Sequence, residues 1–471
     1  MTAAPAAQEV PRFVAGSTMR HVVVMTATGS VGLIAIFAVD LLSLLYISWL
    51  GDPRLTAGVG LATVVLFLST SVNVGLMIAV GALVSRALGA GEHDRARRLA
   101  TSCTIHLAAV GCLVTALILP VLDGLLTRIG ASSGTLDVAR DFLWITMPSN
   151  ALMAVGMGFS SVLRAVGDAK RAMYVTLSGA ILTAGLDPLF IFGLGLGTDG
   201  AAAAIVISRV LFAAVGFHGV ARVHGLLARP QLRDVIADAH SMFGIAVPAI
   251  LTNVATPLAN GIFTAILARY GDQAVAATAI VDRLVPVAFG GLFALSGSVG
   301  PILGQNWGAG RFDRMRQALR DAVVFMTLYV GAVWILLVSS SGLLTDLFHA
   351  TGLTGELVVV FCLVSGVMWF FVGLLFVANA AFNNLGFPLY STGFNWARAT
   401  LGMVPFALLG AALGGPTGAL LGVALGPAPF GVAAIVTAFR AIRRLEQAAL
   451  RAGYPSAPGG AKASGLSAAG R

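Results

Sequence analysis

Charge is what this chain has least of. Asp, Glu, Lys and Arg make up 10% of its 471 residues, against about a quarter in a soluble domain. The hydrophobic set supplies 58%, so too few polar side chains remain to cover a water-soluble fold of this size. The composition therefore predicts a polytopic membrane protein. Lysine is scarcer still: Lys170 and Lys462 are the whole supply, and neither follows a glycine. That excludes a P-loop and ATP hydrolysis through one. The three cysteines, Cys103, Cys112 and Cys362, fall inside apolar runs without metal-ligand spacing and read as packing residues. No glycine period suggests a collagen-like chain. The first twenty residues lack the small-residue cleavage site of a removed signal peptide.

Long apolar runs are what is there. A helix needs about 20 apolar residues to cross ~30 Å of hydrocarbon, and twelve such runs can be read, near 22–48, 56–84, 99–122, 142–162, 173–195, 200–219, 242–268, 275–303, 322–345, 357–382, 390–412 and 416–438. The expected fold is an all-α integral membrane bundle. With the N-terminus inside, 22 of the 29 basic residues fall in inner segments and four in outer loops, which places both termini in the cytoplasm. This topology explains the net charge of +9 without nucleic-acid binding. The tail after Arg451, rich in Ala, Gly, Ser and Pro, reads as disordered.

An internal repeat organises the runs. Gly89-Ala90-Gly91-Glu92-His93-Asp94-Arg95-Ala96-Arg97 recurs as Gly308-Ala309-Gly310-Arg311-Phe312-Asp313-Arg314-Met315-Arg316, and three further landmarks (Val166-Gly167 with Leu385-Gly386, Gly197 with Gly415, Gly51-Asp52 with Gly271-Asp272) recur at offsets of 218–220. The chain therefore reads as two six-helix parallel repeats: a tail at 1–21, an N-lobe at 22–228, a C-lobe at 229–440 and a cytoplasmic tail at 441–471. Parallel repeats imply a pseudo-two-fold axis along the membrane normal and a cavity between lobes, a geometry suited to alternating access. The arginine-rich glycine loops read as tight turns that anchor the inner side.

Several of these segments together resemble the multidrug and toxic compound extrusion (MATE) transporters, over roughly 25–440. They are Val39-Asp40 followed by Leu50-Gly51, Leu163-Arg164-Ala165-Val166-Gly167-Asp168, Leu186-Asp187-Pro188-Leu189-Phe190-Ile191-Phe192-Gly193 and Gly304-Gln305-Asn306-Trp307-Gly308-Ala309-Gly310. The resemblance implies two six-helix lobes, cytoplasmic termini, and cation-coupled export of amphiphilic, often cationic, compounds from a multi-pass protein of the cell membrane.

Ionisable residues inside a membrane are costly, so each is a functional candidate. Asp40 lies along the first run and Asp187 along the fifth, with no basic residue in either run to pair with Asp40. Two carboxylates facing one apolar cavity cannot both ionise cheaply, so at least one is expected to hold a proton. The resemblance implies the same pair, since the family's N-lobe cation site uses an aspartate in the first helix and one in the fifth. Where the family often has Asn one turn before the fifth-helix Asp, Thr183 stands, and Ile205 stands where it often has Thr. Sodium wants several oxygen ligands and a proton needs only a carboxylate, so H⁺ is the expected coupling ion and Na⁺ the alternative. The seventh and tenth runs carry Asn253, Asn260 and Asn379 and no acid, and Asn260 occupies the repeat position of Asp40. That asymmetry assigns coupling to the N-lobe and makes the chain look more like the DinF-type branch than the Na⁺-coupled NorM branch. The first run has no proline to bend it between residues 12 and 52, leaving Gly29 and Gly32 as its flexible points.

Arg209, Arg398 and the adjacent Asp282 and Arg283 read as packing, snorkelling or interhelical ties, and His106 as a structural residue. Tyr46, Met153, Met157, Asn253, Asn260 and Asn379 are the expected cavity lining, because flexible Met and flat aromatics suit promiscuous binding of planar drugs. The sequence reading is a proton-coupled exporter, monomeric, without an organic cofactor, metal or enzymatic activity, whose partners are amphiphilic small molecules and the bilayer. The alternative is a flippase for a lipid-linked precursor, whose phosphates would need basic residues mid-membrane.

Overall fold

The computed structural model describes residues 11–452, and these are helical almost throughout. Ten long helices come first: α1 Thr18–Ser48, α2 Pro53–Gly89, α3 His93–Arg128, α4 Ser133–Val166, α5 Ala169–Gly193, α6 Gly197–Val223, α7 Leu232–Tyr270, α8 Asp272–Gly308, α9 Phe312–Ser339 and α10 Gly352–Asn384. The helical stretch Pro388–Arg451 is two spans, because Gly414 (φ −144°) and Gly415 (φ 61°) leave helical geometry within it. We label them α11 (388–413) and α12 (416–451). They fold back on each other: Gly402, Phe406 and Gly410 lie against Gly426, Gly422 and Gly418 in reversed order, so closely that a Cβ at Gly410 would overlap the Gly418 carbonyl. The described chain thus has twelve spans in two sets of six, joined by the non-helical stretch 224–231.

The spans run past the expected boundaries at several ends. Residues 441–451, expected in the tail, continue α12, with Ile442 buried and Glu446 paired to Arg316. Before α1, Arg12–Val14 form a 3-10 turn whose Phe13 is 1% exposed. The rest of the two expected tails, 1–10 and 453–471, lies outside the described residues.

Prolines set the internal breaks. Pro148 falls in a 3-10 turn (Met147–Ser149) inside α4, and Pro188 precedes a π turn (Leu189–Gly193) that ends α5. A proline removes one ladder donor and clashes with the carbonyl four residues earlier, and in lipid freed carbonyls need partners from neighbouring helices. Without a proline, α1 runs unbroken. Its glycines serve packing: Gly29 meets Ala294 of α8, and Gly32 leaves no room for a Cβ beside Thr176 of α5.

The two halves meet mainly through α1 and α2 of the first set against α7 and α8 of the second. At the end carrying the arginine-rich loops this contact is tight and symmetric. Gly89 sits on the backbone of Gln305, and its repeat partner Gly308 on that of Arg86 and Ala90. Arg86 Nε donates to the Asn384 carbonyl (2.7 Å), and Gln305 Nε2 donates to the Ala165 carbonyl (2.6 Å). Gln305 is Arg86 shifted by one repeat and Asn384 is Ala165 shifted likewise, so one bond is the other's symmetry mate. Arg86 also stacks on Trp307, 4.2 Å from the ring centre. Phe13 bridges the same seam: its N–H donates to Gln305 Oε1 (2.8 Å), Asn306 and Arg314 donate to its carbonyl, and its ring lies near Gly167. One end of the interface between halves is thereby sealed.

Candidate functional site

Asp40 and Ser43 are three residues apart on α1, hence on one helix face. Asp40 stands about 12 Å from the Ser48 end at 1.5 Å per residue, well away from the sealed seam. Ser43 Oγ donates to Asp187 Oδ2 on α5. Asp187 is 1% exposed, and its Oδ1 is buried without a hydrogen-bond partner. Asp40, by contrast, is exposed. The helix pair α1–α5 therefore carries one exposed and one enclosed carboxylate.

A further charged group in the spans of this half is Arg209 on α6. The α4 break holds it: Arg209 Nη1 donates to the Thr146 carbonyl (2.9 Å) and to Ser149 Oγ (2.8 Å). Thr115 satisfies the Met147 carbonyl at 2.8 Å. The 3-10 turn at Met147–Ser149 thus presents the Thr146 carbonyl, which also accepts from Ser149 Oγ (2.6 Å), to the guanidinium of α6. Arg209 was expected to pack, snorkel or tie helices, and its two bonds to the α4 break tie α6 to α4. Ser43 went unnoticed in the sequence, although its spacing from Asp40 was a usable signal. For Arg209 the signal was a basic residue mid-span, which has no address until α4 and α6 are packed.

The other predicted residues divide. Thr183 lies one turn before Asp187, but its hydroxyl bonds Ser208 Oγ (2.7 Å) and the Gly179 carbonyl (3.1 Å), and neither carboxylate. Tyr46 continues the Asp40–Ser43 face, its ring 5.6 Å from Trp49 and 6.1 Å from Phe192. Met153 and Met157 are half-buried against the apolar core of the first half. In the second half Asn260 is exposed, Asn253 bonds the Ala249 carbonyl of its own helix, and the buried Asn379 accepts from Asn395 Nδ2 at 3.0 Å.

Farther along α5, at its start, Asp168 caps the helix. It accepts from the Arg171 backbone N–H (3.1 Å) and side chain (2.6 Å), with His224 Nε2 3.0 Å away. Burial works to raise this carboxyl, and the hydrogen bonds from Arg171 and His224 outweigh it, holding Asp168 below the usual carboxylate range.

The chain matches the MatE family model over residues 30–189 and 248–409. It is 27% identical over 400 residues to the FAD transporter of Shewanella oneidensis, covering 84% of this chain and 88% of that protein. It is 25% identical over 319 residues to the multidrug export protein MepA of Staphylococcus aureus, 66% of this chain and 68% of that one. Among solved structures, a mutant of the Vibrio cholerae MATE transporter VcmN superposes with a TM-score of 0.87 at 24% identity, covering 91% and 98% of the two chains. A MOP-superfamily transporter from Pyrococcus furiosus, described as having a binding pocket of reverse polarity, superposes at 0.86 and 19% identity, over 93% and 99%. At these identities the structural likeness establishes the fold.

Proposed function

This chain belongs to the MatE family of membrane transporters, and from that premise we propose that it exports amphiphilic, cationic small molecules by alternating access, driven by protons entering through Asp40 and Asp187. It is a multi-pass membrane transporter and not an enzyme. The observation that carries the proposal is the Asp40–Ser43–Asp187 constellation. An enclosed carboxylate with one unpaired oxygen is costly as an anion, and a proton on Asp187 Oδ1 removes that cost. Asp40 is the accessible member, so it is the group that an arriving cation or proton meets first. Binding either one at the pair weakens the attraction for the other, which is the exchange an antiporter needs.

Two further features support the reading. Thr183 is committed to Ser208, so the oxygen set around the carboxylates is thin for Na⁺ and sufficient for H⁺. The seam is sealed at the arginine-rich end, while the carboxylates lie toward the other. By the distribution of basic residues the sealed end faces the cytoplasm, in the inner or plasma membrane with both termini cytoplasmic. The described state is then outward-facing. Swapping it for an inward-facing one requires breaking the Arg86 and Gln305 bonds together, as their symmetry allows.

Ethidium efflux from proteoliposomes tests this. A pH gradient is expected to drive efflux in the wild type and not in Asp40→Asn or Asp187→Asn. Efflux driven by Na⁺ alone, or unchanged in both variants, would overturn the coupling assignment.

A further inference from the structure

Arg398 is a buried charge that the proton cycle leaves unused. It opens the π turn Arg398–Met403 of α11 and is 7% exposed. Of its five N–H donors, one on Nη2 reaches Thr256 Oγ1 of α7 at 3.1 Å, and Nε is buried with no partner. No ion pair among the described residues includes it. The helices packed on this turn, α7, α10 and α12, offer only Asp234, Asp238, Glu356 and Glu446 as acids, and Glu356 accepts from Thr417 Oγ1 (2.9 Å). Asp238 is bound to Arg98 and Glu446 to Arg316, both at the sealed end. Thr256 stands about 27 Å up α7 from Asp238 at 1.5 Å per residue. The nearby walls are apolar, with Ala255, Ala259, Met368, Trp396 and Met403 in one cluster.

A guanidinium is charged at any physiological pH, and an unpaired charge at this depth is expensive to keep. The first half holds its carboxylates at Asp40 and Asp187, and the second holds, at Arg398, a buried guanidinium with no carboxylate paired to it. We propose that Arg398 anchors a second binding point, for an oxyanion (a carboxylate or a phosphate) carried by the exported compound. The substrates of this transporter are then ampholytes, their cationic end directed to the first half and their anionic end to the second. A guanidinium edge suits this because it binds either oxyanion through two parallel N–H bonds. The inference rests on the export reading above for its substrate, but its evidence is independent of proton coupling.

Fluorescence polarisation with the purified full chain in phosphatidylcholine nanodiscs separates the two. Rhodamine B carries a carboxylate, and its ethyl ester is the same dye as a simple cation. The wild type is expected to bind rhodamine B more tightly than the ester. Arg398→Gln is expected to lose about ten- to one-hundred-fold in rhodamine B affinity, the scale of a hydrogen bond to a charged group, and less than twofold for the ester. Arg398→Lys keeps the charge and is expected to fall between, which guards against misreading a folding defect. Loss of the wild-type preference in phosphatidylglycerol discs would identify a lipid headgroup as a competing source of the same oxyanion. Equal losses for both dyes, or no loss, would overturn the anion site. If the wild type binds neither dye, the export reading falls, and with it the substrate assigned to Arg398.

Discussion

At the residue scale, Ser43 holds Asp187, and Arg209 ties α6 to the break in α4. Arg209 ties α6 to the Thr146 carbonyl and Ser149 Oγ at the α4 break, so Arg209→Met removes that tie. The Thr146 carbonyl keeps its bond from Ser149 Oγ, so we expect a loss of about 1 kcal/mol and a fall in gradient-driven efflux, measured by thermal unfolding and by proteoliposome transport. Asp168 gives a pH prediction outside the spans. Its carboxyl is held below its ordinary value, so its stabilisation is present above the unfolded value of about 3.9 and is lost as pH falls through the lower folded value. Melting temperature against pH is expected to drop on the acid side of about pH 4 in the wild type. Asp168→Asn should be less stable at neutral pH and flatter in acid. Parallel acid limbs in the two proteins would remove Asp168 from that role.

At the scale of elements, glycines and prolines explain where the chain could be read in advance and where it could not. The apolar runs and the 219-residue offset were legible because span length and repetition are local properties. The turn between α11 and α12 was legible as the gap between two runs, and Gly414 and Gly415 make it. Contacts between helices were not legible in this way: the Ser43–Asp187 bond joins residues 144 positions apart, in separate runs. Thr183 was placed with the carboxylates by the family resemblance, and packing against α6 sent its hydroxyl to Ser208. Close packing of α11 on α12 gives a test at this scale. Gly410→Leu is expected to cost about 1–3 kcal/mol by overpacking against Gly418, read as a lower melting temperature and less monodisperse protein. Gly60→Ala, on an exposed stretch of α2 with nothing within 4 Å of the added carbon, is expected to be neutral or slightly stabilising.

At the scale of the whole molecule, the repeat becomes mechanism. The Arg86 and Gln305 bonds are symmetry mates that close one end, so the Arg86→Ala, Gln305→Ala double variant should open it. Spin labels at Asp94 and Asp313, exposed and one repeat apart, report that end by pulsed electron resonance. A longer, broader distance distribution in the double variant is expected, and an unchanged one would mean that apolar packing alone holds the seam. The same symmetry was visible in the sequence as a pattern, but its consequence needed the fold, because each bond links a helix of one half to the opposite half.

The central claim is that proton and cation exchange at one carboxylate pair. Its most direct test is the proton count on binding: ethidium added to the detergent-solubilised protein in weakly buffered solution, with pH recorded. Release of about one proton per ethidium bound in the wild type, and none in Asp40→Asn, Asp187→Asn, is the predicted result. Ethidium binding by the wild type with no proton released would contradict it.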